Sequence, residues 1–101
     1  MSAVKVVRYR TKPEHAEENA ELVRSVFAEL ATDEPDGLRY VTFRLEDGVT
    51  FVHVATIEGE INPLASSTAF GRFQSEIADR CEEGPLAMDA TVVGAYSLPI
   101  S

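Results

Sequence analysis

Leu38-Arg39-Tyr40-Val41-Thr42-Phe43-Arg44-Leu45-Glu46-Asp47-Gly48-Val49-Thr50-Phe51-Val52-His53-Val54-Ala55-Thr56-Ile57 reads as two strands folded back on each other at Asp47-Gly48. The flanking runs are rich in β-branched and aromatic residues. Asp-Gly predicts a two-residue type I′ turn, because both central residues of that turn need positive φ. Pairing across such a turn sets 46 opposite 49, 44 opposite 51, 42 opposite 53 and 40 opposite 55. Two faces follow. One carries Val41, Phe43, Leu45, Val52 and Val54, and the other Leu38, Tyr40, Thr42, Arg44, Phe51, His53, Ala55 and Ile57. Both are largely apolar, so the hairpin calls for cover on both sides.

Upstream, Val4 to Arg10 has strand composition and ends at Thr11-Lys12-Pro13, where Pro13 suits the first position of a helix. Ala16, Ala20, Val23, Phe27 and Leu30 then recur at spacings of three and four, which predicts a helix to about Ala31. Its opposite face, with Glu18, Glu21, Arg24, Ser25 and Glu29, is expected to be solvated. Downstream, Ser66 and Ser67 are candidate caps for a second helix whose stripe is Phe70, Phe73, Ile77 and Cys81. That helix is expected to run to about Glu83 and stop at Gly84-Pro85, with a last strand at Thr91 to Leu98. The order βαββαβ over residues 1–101, with no repeat or linker, predicts a single domain.

The fold class expected is α+β: a ferredoxin-like antiparallel sheet with two helices on one face. Two helices cover one side only, so a homodimer is expected to cover the other. Nine Lys plus Arg against 17 Asp plus Glu give a net charge of −8, which disfavours nucleic acid and anionic membrane as partners. The single cysteine, Cys81, allows no internal disulfide, and the start of the chain lacks a basic region followed by a long apolar run. A cytoplasmic location is the expectation.

The βαββαβ order, the strand-to-Pro entry Val6 to Pro13, the Asp47-Gly48 hairpin and the segment Val52 to Glu60 together resemble the dimeric α/β-barrel superfamily, in particular its antibiotic-biosynthesis-monooxygenase-like group. The resemblance implies a barrel built from the sheets of two subunits, with a small-molecule cavity between each sheet and its own helices. It also implies that His53 stands where the cofactor-independent monooxygenases of the group carry a cavity-facing Asn. Ile57 stands where they carry a Trp, so one aromatic wall is missing. The haem-degrading branch requires a His on the second helix and an Asn on the first strand. Here Ser66 to Glu83 holds no His and the strand position is Val6. No cofactor is expected.

His53 is the candidate proton acceptor, since an imidazole titrates near neutrality. Tyr40 and Thr42 are candidates to orient a substrate, with Phe51, Ile57 and Phe70 on the ligand side. The plainer alternative is a half-buried His53 bonded to the Thr42 hydroxyl. Tyr96 and Arg44 are weaker candidates for orienting or pairing with a ligand. His15 is expected at the surface and Cys81 as a packing thiol. No metal-ligand spacing, nucleophile elbow or phosphate-binding glycine loop occurs. Two functions remain open: a small-molecule enzyme resembling cofactor-independent monooxygenases, with an aromatic or enolic substrate, and a non-catalytic ligand-binding or stress-associated dimeric barrel.

Overall fold

The computed structural model describes residues 2–96. Strand β1 (Ser2–Thr11) leads through a 3₁₀ turn at Pro13–His15 into helix α1 (Ala16–Asp33). The hairpin follows as β2 (Leu38–Arg44) and β3 (Thr50–Glu58). A second 3₁₀ turn, Pro63–Ser66, precedes α2 (Thr68–Ser75), α3 (Ile77–Arg80) and β4 (Cys81–Ala90). The four strands form one antiparallel sheet in the order β2-β3-β1-β4. This is the ferredoxin-like arrangement, with the helices on one face. Among the described residues no helix is long and apolar enough to cross a membrane.

The hairpin register is as expected, with Arg44 opposite Phe51, Thr42 opposite His53 and Tyr40 opposite Ala55. Its turn is not. Gly48 has φ +79° while Asp47 stays at negative φ, so a type I′ turn is excluded. The Asp47 carboxylate instead accepts from the backbone N–H groups of Val49 (2.9 Å) and Thr50 (2.8 Å) and from the Thr50 hydroxyl. These bonds, the Thr50 hydroxyl first among them, hold the Asp47 carboxyl below its ordinary range.

The second helix and last strand depart further from the sequence reading. Helicity breaks at Glu76 and ends at Arg80, and Cys81 opens β4. The expected strand at Thr91 to Leu98 does not form over Thr91–Tyr96; its remaining residues lie outside the described ones. The reason is tertiary. β4 has poor strand composition, yet it lies along the free edge of β1, and that pairing overrides local preference. Thr91–Tyr96 has the better composition but cannot take this place, because β1 is already flanked by β3 and β4. Gly84 and Pro85 fit because they fall in a bulge. Arg8 pairs with Leu86 and Arg10 with Glu83, so two residues oppose Tyr9 there, and Pro85 has no N–H to contribute to a ladder. Glu82 and Glu83 are thus strand residues that pair with Arg10, not helix-end charges.

Tyr9, Phe51, Val23, Val26, Leu64, Ala69 and Phe73 form the core between sheet and helices. Glu29 corrects the expectation of a solvated face on α1. Its carboxylate accepts from the Ser67 hydroxyl and from the Ala69 N–H at 3.0 Å, at the start of α2. A carboxylate there complements the helix dipole, and the Ser67 bond leads the causes that lower the Glu29 pKa.

Candidate functional site

The alternation of β3 delivers Phe51, His53, Ala55 and Ile57 to the helix-facing side, where all are buried. Register places Tyr9 of β1 opposite Phe51, and Tyr40 and Thr42 of β2 alongside His53. The imidazole is only 5% exposed and both its nitrogens are engaged. Nε2 lies 2.8 Å from the Tyr9 hydroxyl. Nδ1 lies 2.6 Å from the Tyr40 hydroxyl and 3.0 Å from Thr42 Oγ1. The cluster continues into the helices. Asn19 of α1 donates its Nδ2–H to the Tyr9 oxygen at 2.8 Å, and Arg80 of α3 donates Nε–H to Asn19 Oδ1 at 3.1 Å. A further Arg80 nitrogen donates to the Phe73 carbonyl at 2.6 Å.

A cavity of about 370 Å³ opens against this cluster, between the sheet and the α2–α3 segment. Its polar lining combines the Tyr9, Tyr40 and His53 cluster with Lys5, Asn62 and Gln74, and its apolar walls include Ile57, Leu64, Phe70 and Phe73. The volume lies at the lower end of small-molecule sites. Of the residues singled out from sequence, His53, Tyr40, Ile57 and Phe70 line it. Thr42 and Phe51 do not. Phe51 is packed behind the site, stacked on Tyr9 with centroids 5.5 Å apart, and Thr42 and Phe51 border a separate groove of about 350 Å³ between α1 and β2.

Burial controls the site's protonation. Desolvation of the imidazolium lowers the His53 pKa to about 4, so the ring is neutral at physiological pH. Burial likewise raises Tyr40 to about 12 and pushes Tyr9 higher still, and both phenols keep their protons. The expected Thr42–His53 bond exists but is one of three.

The weaker candidates lie elsewhere. Tyr96 is exposed and does not reach the cavity wall. Arg44 bonds the Gly48 carbonyl and Glu17 at the surface. His15 bonds Glu18 at 2.9 Å, and Cys81 is a buried free thiol whose pKa burial raises. Among the described residues no group of three or more His, Cys, Asp or Glu side chains is placed to hold a metal. Sequence reasoning missed Tyr9, Asn19 and Arg80. Asn19 was visible as a polar residue beside Ala20 on the apolar stripe of α1, and Arg80 three residues after Ile77. The pairing of Tyr9 with Phe51 is long-range and leaves no local trace.

No family model matches the chain, and no curated protein matches it in sequence. Solved structures do. Rv0793 from Mycobacterium tuberculosis superposes with a TM-score of 0.77 at 13% identity, over 96% of this chain and 100% of that one. SnoaB, a cofactor-independent oxygenase from Streptomyces nogalater, solved as a single-residue mutant, gives 0.70 at 13% identity over 95% and 97%. A dimeric ferredoxin-like protein of unknown function from Jannaschia gives 0.68 at 14% over 91% and 100%. At such identities the likeness shows a shared fold.

Proposed function

We propose that the chain is a small-molecule enzyme that binds a planar aromatic or enolic substrate in the cavity between sheet and α2–α3, and that it resembles cofactor-independent oxygenases in its chemistry. The observation that carries this reading is an apolar cavity ending on one buried polar cluster, Tyr9, His53 and Tyr40. Apolar walls take the rings, and the hydroxyl and imidazole groups meet the substrate oxygen.

The reaction needs a proton acceptor and dioxygen. An acidic methylene loses a proton to the Tyr9 oxygen as the Tyr9 hydroxyl passes its own hydrogen to His53 Nε2, the carbanion so formed gives its electrons to dioxygen, and the net change is CH₂ + O₂ → C=O + H₂O. One oxygen atom enters the carbonyl, the other leaves as water, and the substrate itself is the reductant. A buried imidazolium is costly by itself, so His53 holds the proton only while the substrate anion stands beside it.

The functional unit under this reading is a homodimer formed through the outer face of the sheet, where Phe43, Leu86 and Met88 are exposed. A second reading is favoured by the occupancy of both His53 nitrogens, which suits a binding protein without turnover.

Indanedione, which carries an acidic methylene between two carbonyls, tests both. Saturable binding with oxygen uptake that His53→Ala abolishes is expected for the enzyme. Binding without uptake supports the binding protein, and absence of binding by this and related bicyclic ketones overturns both.

A further inference from the structure

Arg80 is 4% exposed, and among the described residues no carboxylate pairs with it. Its guanidinium is held by the Asn19 side chain and the Phe73 carbonyl, with the Phe73 ring 5.5 Å from Cζ. A buried charge without a counter-ion is costly, and such groups are kept where they fix something. What this one fixes follows from counting donors.

Arginine has only N–H donors and does not lose its proton. The Asn19 atom facing it must therefore be the carbonyl oxygen, since the opposite amide orientation would set two donors against each other. The Asn19 amide N–H₂ then points at Tyr9 and donates to its oxygen at 2.8 Å. The hydroxyl hydrogen of Tyr9 needs its own acceptor, and His53 Nε2 lies 2.8 Å away. If Nε2 carried hydrogen, the buried Tyr9 O–H would be left without a partner. So Nε2 is the acceptor, and a neutral His53 carries its hydrogen on Nδ1. That hydrogen points at the oxygens of Tyr40 and Thr42, 2.6 Å and 3.0 Å from Nδ1. With its oxygen accepting from the ring, Tyr40 has its own hydrogen free for the cavity that it lines.

We propose that Arg80 is a positioning residue: through Asn19 and Tyr9 it holds His53 as the Nδ1–H tautomer, which makes the Tyr40 hydroxyl on the cavity wall a hydrogen-bond donor and favours ligands that present an acceptor oxygen to it, a ketone or enolate. Five groups from α1, α3 and the sheet thus form one directional chain. Its sense is set at the end that cannot titrate. The ligand half of this proposal rests on the small-molecule reading; the tautomer half stands without it.

Long-range ¹⁵N–¹H spectra of the histidine side chains, recorded on the ligand-free protein near neutral pH, test it. The chain has two histidines, and His15→Gln assigns them. The parent is expected to show His53 protonated at Nδ1 and bare at Nε2, and Arg80→Lys, which keeps charge and donor, to preserve that signature. Asn19→Asp should reverse it. A carboxylate accepts from both Arg80 and the Tyr9 hydroxyl, so the Tyr9 oxygen now accepts from His53 Nε2–H. A parent with hydrogen on Nε2, an even tautomer mixture, or an unchanged spectrum in folded Asn19→Asp overturns the proposal. If Asn19→Asp does not fold, Tyr9→Phe replaces it: loss of the single tautomer is expected, and its retention is the contrary result.

For the ligand half, indanone presents only an acceptor and indole only a donor at similar size. The parent should prefer indanone by about tenfold, the ratio of one hydrogen bond, and Asn19→Asp should prefer indole. Equal affinities in the parent overturn this half. If neither probe binds, the small-molecule reading fails while the spectrum still decides the role of Arg80.

Discussion

The two faces of one sheet are built in opposite ways. On the helix side, away from water, the strands carry Tyr9, Tyr40, Thr42 and His53, a polar set whose hydrogen bonds close among themselves and on Asn19. On the outer side the same strands carry Val6, Val41, Phe43, Val52, Val54, Leu86 and Met88, all exposed or only half-buried in the single chain. A monomer would be expected to place them the other way round. Polar groups retained in a dry interior mark a site, and apolar groups left on a wet face mark a surface to be covered. Under the proposed function the difference teaches that two separate demands, ligand and partner, would be written on alternate residues of the same strands.

The sharpest break in this comparison comes from Val54→Asp. Val54 lies mid-sheet on the outer face, between Val6 of β1 and Val41 of β2. In a single chain the new carboxylate reaches water and the fold survives. In a dimer joined through this face the charge is buried without a partner, at roughly 3–5 kcal/mol. Sedimentation at micromolar concentration is expected to show dimer for the parent and an 11.0 kDa species for the variant. A dimer that persists would place the interface elsewhere.

How much of this was legible beforehand divides along the same lines. The alternation in Leu38 to Ile57 places each residue on its face, because side-chain period and hairpin register are local properties. The cavity membership of His53, Tyr40, Ile57 and Phe70 follows from that alternation and from one helical stripe. β4 was not legible: its composition argues against a strand, and only the free edge of β1 makes it one. For the same reason the Tyr9–Asn19–Arg80 half of the polar chain stayed hidden. It joins residues 10 and 61 positions apart, and no local pattern reports such contacts.

Acid should discriminate between the faces as well. The folded-state pKa of His53, lowered by burial from 6.5 to about 4, means that the unfolded chain binds a proton in a range where the native one does not. Stability from this group is complete above about pH 6.5 and is lost as pH falls towards 4. At pH 5 the loss amounts to about 2 kcal/mol, and across the whole window to about 3 kcal/mol. The lowered carboxyls of Glu17, Glu29 and Asp47 act below their ordinary range near pH 4.5, hence beneath most of this window. Urea unfolding at pH 7.5 and pH 5, at one protein concentration, is expected to show the fall in the parent and not in His53→Gln. An equal fall in both would mean that the imidazole is not held neutral by the helix-side face.

The smallest effect concerns the cover over that face. Ser67 caps α2 by accepting from the Phe70 N–H at 3.0 Å, and its own hydroxyl hydrogen goes to Glu29 of α1. α2 carries Phe70 and Phe73 over the cavity, so the cap links the helix that closes the site to the helix that supplies Asn19. Ser67→Ala removes both bonds at an edge where water can replace them in part. The cost expected is about 1 kcal/mol, or roughly 4–8 °C in Tm for a domain of this size. Hydrogen exchange should rise at Ala69, Phe70 and Gly71, whose N–H groups face Glu29 or Ser67, while the β3 amides stay protected. Ser67→Asn, which restores a capping oxygen, should recover most of the loss. If exchange rises equally in β3, the helices and the sheet open as one unit, and the cover over the site has no separate stability to lose.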